Sequence, residues 1–79
     1  MTRLPLVSSG HVIKKLRKIG FEDAPYQGKG SHRALYKVER GRKFLVIVPK
    51  RDPLPRGTLL SIMKQAGLSR EEFIELLSE

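Results

Sequence analysis

The sequence predicts an α+β two-layer sandwich of order helix, three strands, helix, helix, with a three-stranded antiparallel sheet covered by helices on one face. Three observations carry this. Apolar residues recur at helical spacing in "HVIKKLRKI". They switch to period two at His32 and to a continuous run at Phe44, then return to helical spacing after Thr58. Short turn-forming stretches separate the strands, so neighbours pair antiparallel and helices must shield the sheet. A chain of 79 residues has room for one core. We read residues 1–7 as an N-terminal tail and residues 8–79 as a single domain.

Each element has its own warrant. Val12, Ile13, Leu16 and Ile19 form one stripe, which places a helix at about residues 10–19, with Lys14, Lys15, Arg17 and Lys18 around the rest of its circumference. Ser8 or Ser9 supplies the cap, and Gly20 suits a left-handed stop. Pro25 restricts residues 22–27 to extended or edge-strand geometry. From His32 to Val38 the even positions read His, Ala, Tyr, Val, giving a strand with a mainly apolar even face. Tyr26 and Tyr36 could stack on bases, but Tyr36 shares the apolar face with Ala34 and Val38 and is expected to pack with them. "ERGRK" reads as a hairpin turn, with Gly41 available for positive φ. "FLVIV", residues 44–48, reads as the most buried strand, ended by Pro49. Leu59, Ile62, Met63 and Ala66 share a helical face that stops at Gly67. "LSREEF" has the pattern of a capping box, Ser69 to Glu72, opening a last helix over about 70–78 that buries Phe73, Ile74 and Leu77.

Charge is the strongest global signal. Sixteen Lys and Arg face eight Asp and Glu, a net charge of +8. Residues 70–79 carry −3, so residues 1–69 carry +11. A basic body of this size suits a polyanion, most often nucleic acid, through release of condensed counterions. An acidic protein partner fits the same charge. The chain has no cysteine, which excludes disulfides and thiolate metal sites, and its two histidines lack ligand spacing, so no metal and no cofactor are expected. No stretch has the length of a membrane span, and the start lacks a long apolar core for a signal peptide. A cytoplasmic protein is the expectation.

The chemistry narrows quickly. "GKG" precedes a strand rather than a helix, so it reads as a turn and not as a phosphate cradle. Ser31 and His32 are neighbours in extended chain, where side chains point to opposite faces, which excludes a serine nucleophile with its base. His32 remains. An imidazole takes or gives a proton at cellular pH, and RNA brings its own nucleophile, the 2′-OH. Cleavage then needs a base, charge stabilisation for the phosphorane and a proton for the leaving 5′-oxygen. His32 ringed by Lys29, Arg33, Lys50 and Arg51 offers these without a metal. A polar residue that merely ends a strand fits the same position, and the residues alone leave both readings standing. The basic face of the first helix, with Lys14 and Lys18, is either a further phosphate contact or an ordinary solvated surface.

"LRKIGF", "GKGSHRALY", "VIVP" and "RGTLLSIMKQAGLSREEF", in that order, resemble the HicA family of mRNA-cleaving toxins from HicA–HicB toxin–antitoxin systems. The resemblance runs from about residue 8 to residue 77. Its most specific pieces are Gly30-Ser31-His32 and Gly57-Thr58-Leu59 leading into Gln65-Ala66-Gly67. It implies a double-stranded-RNA-binding-domain-like fold, endoribonuclease activity on mRNA with His32 as the catalytic residue, and growth arrest under stress until a HicB-like antitoxin with an acidic surface covers the site. Lys29, Ser31, Arg33, Lys50 and Arg51 would then contact RNA, with Ser31 fixing the turn. One departure stands out. Many relatives carry a second histidine in a pattern like P-x-H after the third strand, where this chain has Pro49-Lys50-Arg51. Arginine stabilises a phosphorane but is a poor proton donor. The resemblance therefore leaves open a slower enzyme or a non-catalytic RNA-binding module of the same fold.

Overall fold

The computed structural model describes residues 4–25 and 32–79. The described residues form α1 (Ser9–Lys18), β1 (Glu22–Asp23), β2 (His32–Glu39), β3 (Arg42–Pro49), α2 (Arg56–Gln65) and α3 (Arg70–Ser78). The sheet has order β1-β2-β3 and is antiparallel throughout, so the α+β arrangement and element order are those expected. Gly28, Gly30 and their turn, with Tyr26, Lys29 and Ser31, lie outside the described residues.

Local chemistry sets the boundaries. Ser8 caps α1, its side chain accepting from the His11 N–H at 3.2 Å. Gly20 follows the helix with a φ of 104°. The β2–β3 turn is Arg40–Gly41, with φ of 53° and 79°. Positive φ at both central residues matches the right-handed twist of the strands, as in a type I′ turn. At α3 both halves of the capping box are made: Glu72 N–H donates to Ser69 Oγ at 3.1 Å, and Ser69 N–H donates to Glu72 Oε1 at 2.8 Å. Hydrogen bonds from the Ser69 backbone and side chain hold the Glu72 carboxyl below its usual range.

Packing decides which way the sheet faces. Leu35 lies opposite Val46, and Arg33 opposite Val48. Residues directly opposite in an antiparallel pair share a face. Leu35, Val46 and Val48 are fully buried with Val12 and Leu16 of α1, Leu59 and Ile62 of α2, and Phe73 of α3. The helices therefore cover the face made by odd positions of β2 and even positions of β3. The even positions His32, Ala34, Tyr36 and Val38 lie on the other face, with Leu45, Ile47 and Pro49. There Val38 is 62% exposed, Leu45 50% and Ile47 36%. This corrects two expectations: Tyr36 is not core packing, and "FLVIV" is buried at alternate positions only. The reason is that the described helices cover a single face and β3 is an edge strand.

One further placement differs from the expected one. Lys15, read as part of the solvated circumference, is buried, and its ammonium donates to the Glu79 carbonyl beyond α3. In residues 4–7, Leu4 is buried in the core and the Val7 carbonyl accepts from the Leu54 N–H at 2.8 Å.

Gly67 and Gly57 give a stability test. Gly67 sits at φ 71°, where a Cβ would stand 2.6 Å from Phe44 Cε1, whereas one on Gly57 meets nothing within 4 Å. Gly67→Ala is expected to cost about 2 kcal/mol in urea unfolding, from left-handed strain plus collision. Gly57→Ala should gain about 0.5 kcal/mol through helix propensity.

Candidate active site

His32 is the first residue of β2 and is exposed. Its cross-strand partner is Pro49, and it lies on the sheet face that the helices leave open. Pro49 suits this place, because odd positions of β3 aim their N–H groups away from β2 and an edge proline forfeits no ladder bond. The chain then passes directly through Lys50 and Arg51, both exposed. The Arg51 carbonyl accepts from the Ser9 N–H at 2.9 Å, tying this segment to the start of α1. His32, Lys50 and Arg51 are thus gathered at one end of the hairpin. Among the described residues, neither Lys50 nor Arg51 forms an ion pair.

The other candidates are placed differently. Arg33 points to the helix side, as strand alternation requires. Its Nη2 donates to Asp23 Oδ1 at 2.9 Å, while its buried Nε has no partner among the described residues. Asp23 also takes two hydrogen bonds from Arg17 Nη2, at 3.0 and 2.9 Å. The two guanidiniums, Arg33 first, hold the Asp23 carboxyl below the usual carboxylate range. Lys14 and Lys18 are exposed on α1, in the layer behind the sheet, and Lys18 Nζ lies 3.7 Å from Glu79 Oε1. Lys29 and Ser31 lie outside the described residues. His11 turns away from His32, its Nε2 being 3.0 Å from the Leu77 carbonyl of α3.

Sequence reasoning set Tyr36 aside as packing and passed over Glu22, and both share the open face with His32. Lys43 Nζ lies 5.4 Å from the Tyr36 ring centroid, and Glu22 of β1 lies directly opposite Tyr36. The period-two pattern was the available signal for Tyr36, but pattern alone does not say which face is covered. Away from this face, a recess lined by Ile19, Leu68 and Leu76 is rimmed by Glu72, Glu75 and Glu79, which suits no phosphate. Among the described residues no cluster of three His, Cys, Asp or Glu is arranged to hold a metal. Among the described residues no helix is long and apolar enough to cross a membrane.

The hairpin end thus brings an exposed imidazole together with two exposed cations. A family model described as the HicA toxin of bacterial toxin–antitoxin systems matches residues 10–68. No curated protein matches the chain.

The Asp23 ion pairs predict an acid sensitivity. A carboxyl with a depressed folded pKa contributes stability above its unfolded pKa, about 3.9, and that contribution fades as pH falls through the lower folded value. The urea midpoint of wild type should therefore fall further between pH 5 and pH 2.5 than that of Asp23→Asn, which has lost this contribution at every pH. Equal acid losses in the two proteins would contradict the assignment.

Proposed function

The chain belongs to the HicA toxin family of bacterial toxin–antitoxin systems, and on that ground we propose that it is an endoribonuclease that cleaves mRNA in the cytoplasm. The observation that supports this most is the position of His32, exposed on the open sheet face with Lys50 and Arg51 at the end of the strand beside it. His32 removes the proton from a ribose 2′-OH. The 2′-oxygen forms a bond to the adjacent phosphorus, and Lys50 and Arg51 stabilise the charge of the phosphorane. The bond from phosphorus to the 5′-oxygen then breaks, and that oxygen takes up the proton from the imidazolium. The products are a 2′,3′-cyclic phosphate and a 5′-hydroxyl, with no net proton consumed.

This scheme uses the side chains alone and needs no metal. Arg33, tied to Asp23 on the helix side, acts at most at the margin of this site, and Lys14 and Lys18 would meet only RNA that wraps around to the helix layer. As a toxin of a toxin–antitoxin system, the protein has an antitoxin partner. We propose that this partner is HicB-like and acidic, and that it silences the enzyme by covering His32. A second reading, a non-catalytic RNA-binding module, follows from the departure from the family pattern: Arg51 stands where the resemblance implies a second histidine in many relatives, and arginine is a poor proton donor.

Cleavage in excess EDTA separates the two. Wild type should cut mRNA, and His32→Ala should cut it at least about a hundredfold more slowly while still retaining RNA. Retention by both proteins with cleavage by neither would favour the binding module. Replacing Lys50 and Arg51 together by Ala should weaken binding and reduce the slope of log K against log salt by about 1.4, from two lost single-strand phosphate contacts. An unchanged slope would remove these residues from the interface.

A further inference from the structure

The open face of the sheet carries more than His32. Tyr36 stands on the same face of β2, half-buried and four residues along, about 13 Å away at the rise of a strand. Between them the only side chain on that face of β2 is the short methyl of Ala34, which is itself buried, so a strand would meet the face at its two accessible points, the imidazole and the ring. Lys43 lies beside Tyr36 with its ammonium 5.4 Å from the ring centroid. On the other flank Glu22 is the cross-strand partner of Tyr36, so its carboxylate shares the face. Leu45 and Ile47 extend an apolar floor, half and about one-third exposed. No other acid belongs to this face in β2 or β3: Glu39 occupies an odd position and is paired with Lys37 at 2.8 Å.

We infer that Tyr36 is a stacking platform for one base of a single-stranded RNA lying across the open sheet face, and that Glu22 reads that base by accepting a hydrogen bond from its exocyclic amine. The inference rests on the ribonuclease reading for the direction of the strand, but its physical basis is independent. A chain with a net charge of +8 attracts a polyanion. Single strands are held by aromatic side chains on which bases stack and by cations that follow the backbone, and an exposed sheet face with an aromatic residue is a recurrent form of that device. Stacking a base on Tyr36 removes far more apolar surface from water than an exposed ammonium over the same ring does. The base therefore takes the ring, and the long stem of Lys43 lets its charge follow the phosphate. The distance from Tyr36 to His32 then places the stacked base about two nucleotides from the ribose that reacts.

Glu22 supplies the selectivity. A carboxylate beside the ring repels phosphate and accepts only from donors, so it favours a base edge that presents an N–H₂ group. Cytosine and uracil have the same ring size but opposite edges: cytosine presents an amine at position 4 beside an acceptor at position 3, uracil a carbonyl at position 4 beside an N–H at position 3, so a carboxylate that reads position 4 separates them. The platform prefers cytosine.

The test uses the full chain and 2′-O-methyl oligocytidine and oligouridine, which have no free 2′-hydroxyl and cannot be cut by the proposed route. Binding is read by fluorescence anisotropy, with thermal melting to check that each variant is folded. Wild type should bind the cytosine strand several-fold more tightly than the uracil strand. Tyr36→Leu should lose about tenfold on both strands, Tyr36→Phe should keep wild-type affinity, and Glu22→Gln should narrow the cytosine preference. Tyr36→Leu binding both strands like the wild type would mean that the face seats something other than RNA, and would overturn the platform. A cytosine preference absent from wild type, or unchanged in Glu22→Gln, would overturn the reading role of Glu22. Failure of the nuclease reading looks different: the Tyr36 effect persists while unmodified RNA survives incubation intact.

Discussion

Leu35 and Val46, opposite each other in the β2–β3 ladder and both withdrawn from solvent, decide the direction of every other side chain in the hairpin. Side chains alternate along a strand, so a shift of one residue would exchange the two faces. With Leu35 inward, Arg33 and Lys37 go to the helix side, while His32, Tyr36 and Val38 face outward. With the opposite parity, His32 would sit against the helix layer and its ring would be closed to any strand of RNA. The helices enforce the choice, since Leu59, Ile62, Phe73 and Leu16 require an apolar floor that includes Leu35, Val46 and Val48. The accessibility of the imidazole is thus a consequence of core packing on the far side of the sheet.

The same parity sorts the charges. Arg17 and Arg33 share Asp23, Lys37 meets Glu39, and Lys15 and Lys18 reach the end of α3. Apart from the buried Lys15 contact, these pairs are largely exposed and add little stability one by one, but they lower the field on the helix side. The acids of residues 70–79 gather there too. Among the described residues, Lys50 and Arg51 have no such neutralisation. The two cations beside His32 therefore remain available to a polyanion.

The order of elements, the capping box at Ser69 and the glycines at 20, 41 and 67 were legible in the sequence, because each depends on neighbours close along the chain. His32 drew notice in the sequence first as a lone imidazole among cations and then through the family resemblance. What stayed hidden depends on partners far apart in sequence. Period two announces a strand with two unlike faces without saying which is covered, so Tyr36 was assigned to the core and Glu22 passed unnoticed. Lys15 looked solvated because its carbonyl acceptor lies 64 residues away. Arg33 looked like a phosphate ligand because only the folded sheet shows that Asp23 and the helix side claim it.

The treatment of β3 bears on how this surface associates. An edge strand offers unpaired N–H and C=O groups to any other chain, a standing risk of strand addition. Here the odd positions of β3 point outward, and two of them are blocked: the Ile47 N–H donates to Gln65 Oε1 at 2.9 Å, and Pro49 has no N–H. Lys43 adds charge at a third. The face receives no such protection, since Val38, Leu45 and Ile47 lie in solvent with few polar groups among them. Contiguous apolar surface of this kind is uncommon on a small monomer unless something binds it. A chain adding to the edge must displace Gln65 and finds no donor at Pro49, whereas a molecule lying across the face meets apolar floor, an aromatic ring and His32 without disturbing the ladder. Association through the face is therefore the easier route for RNA and for any protein that silences the histidine, and the two must compete for it.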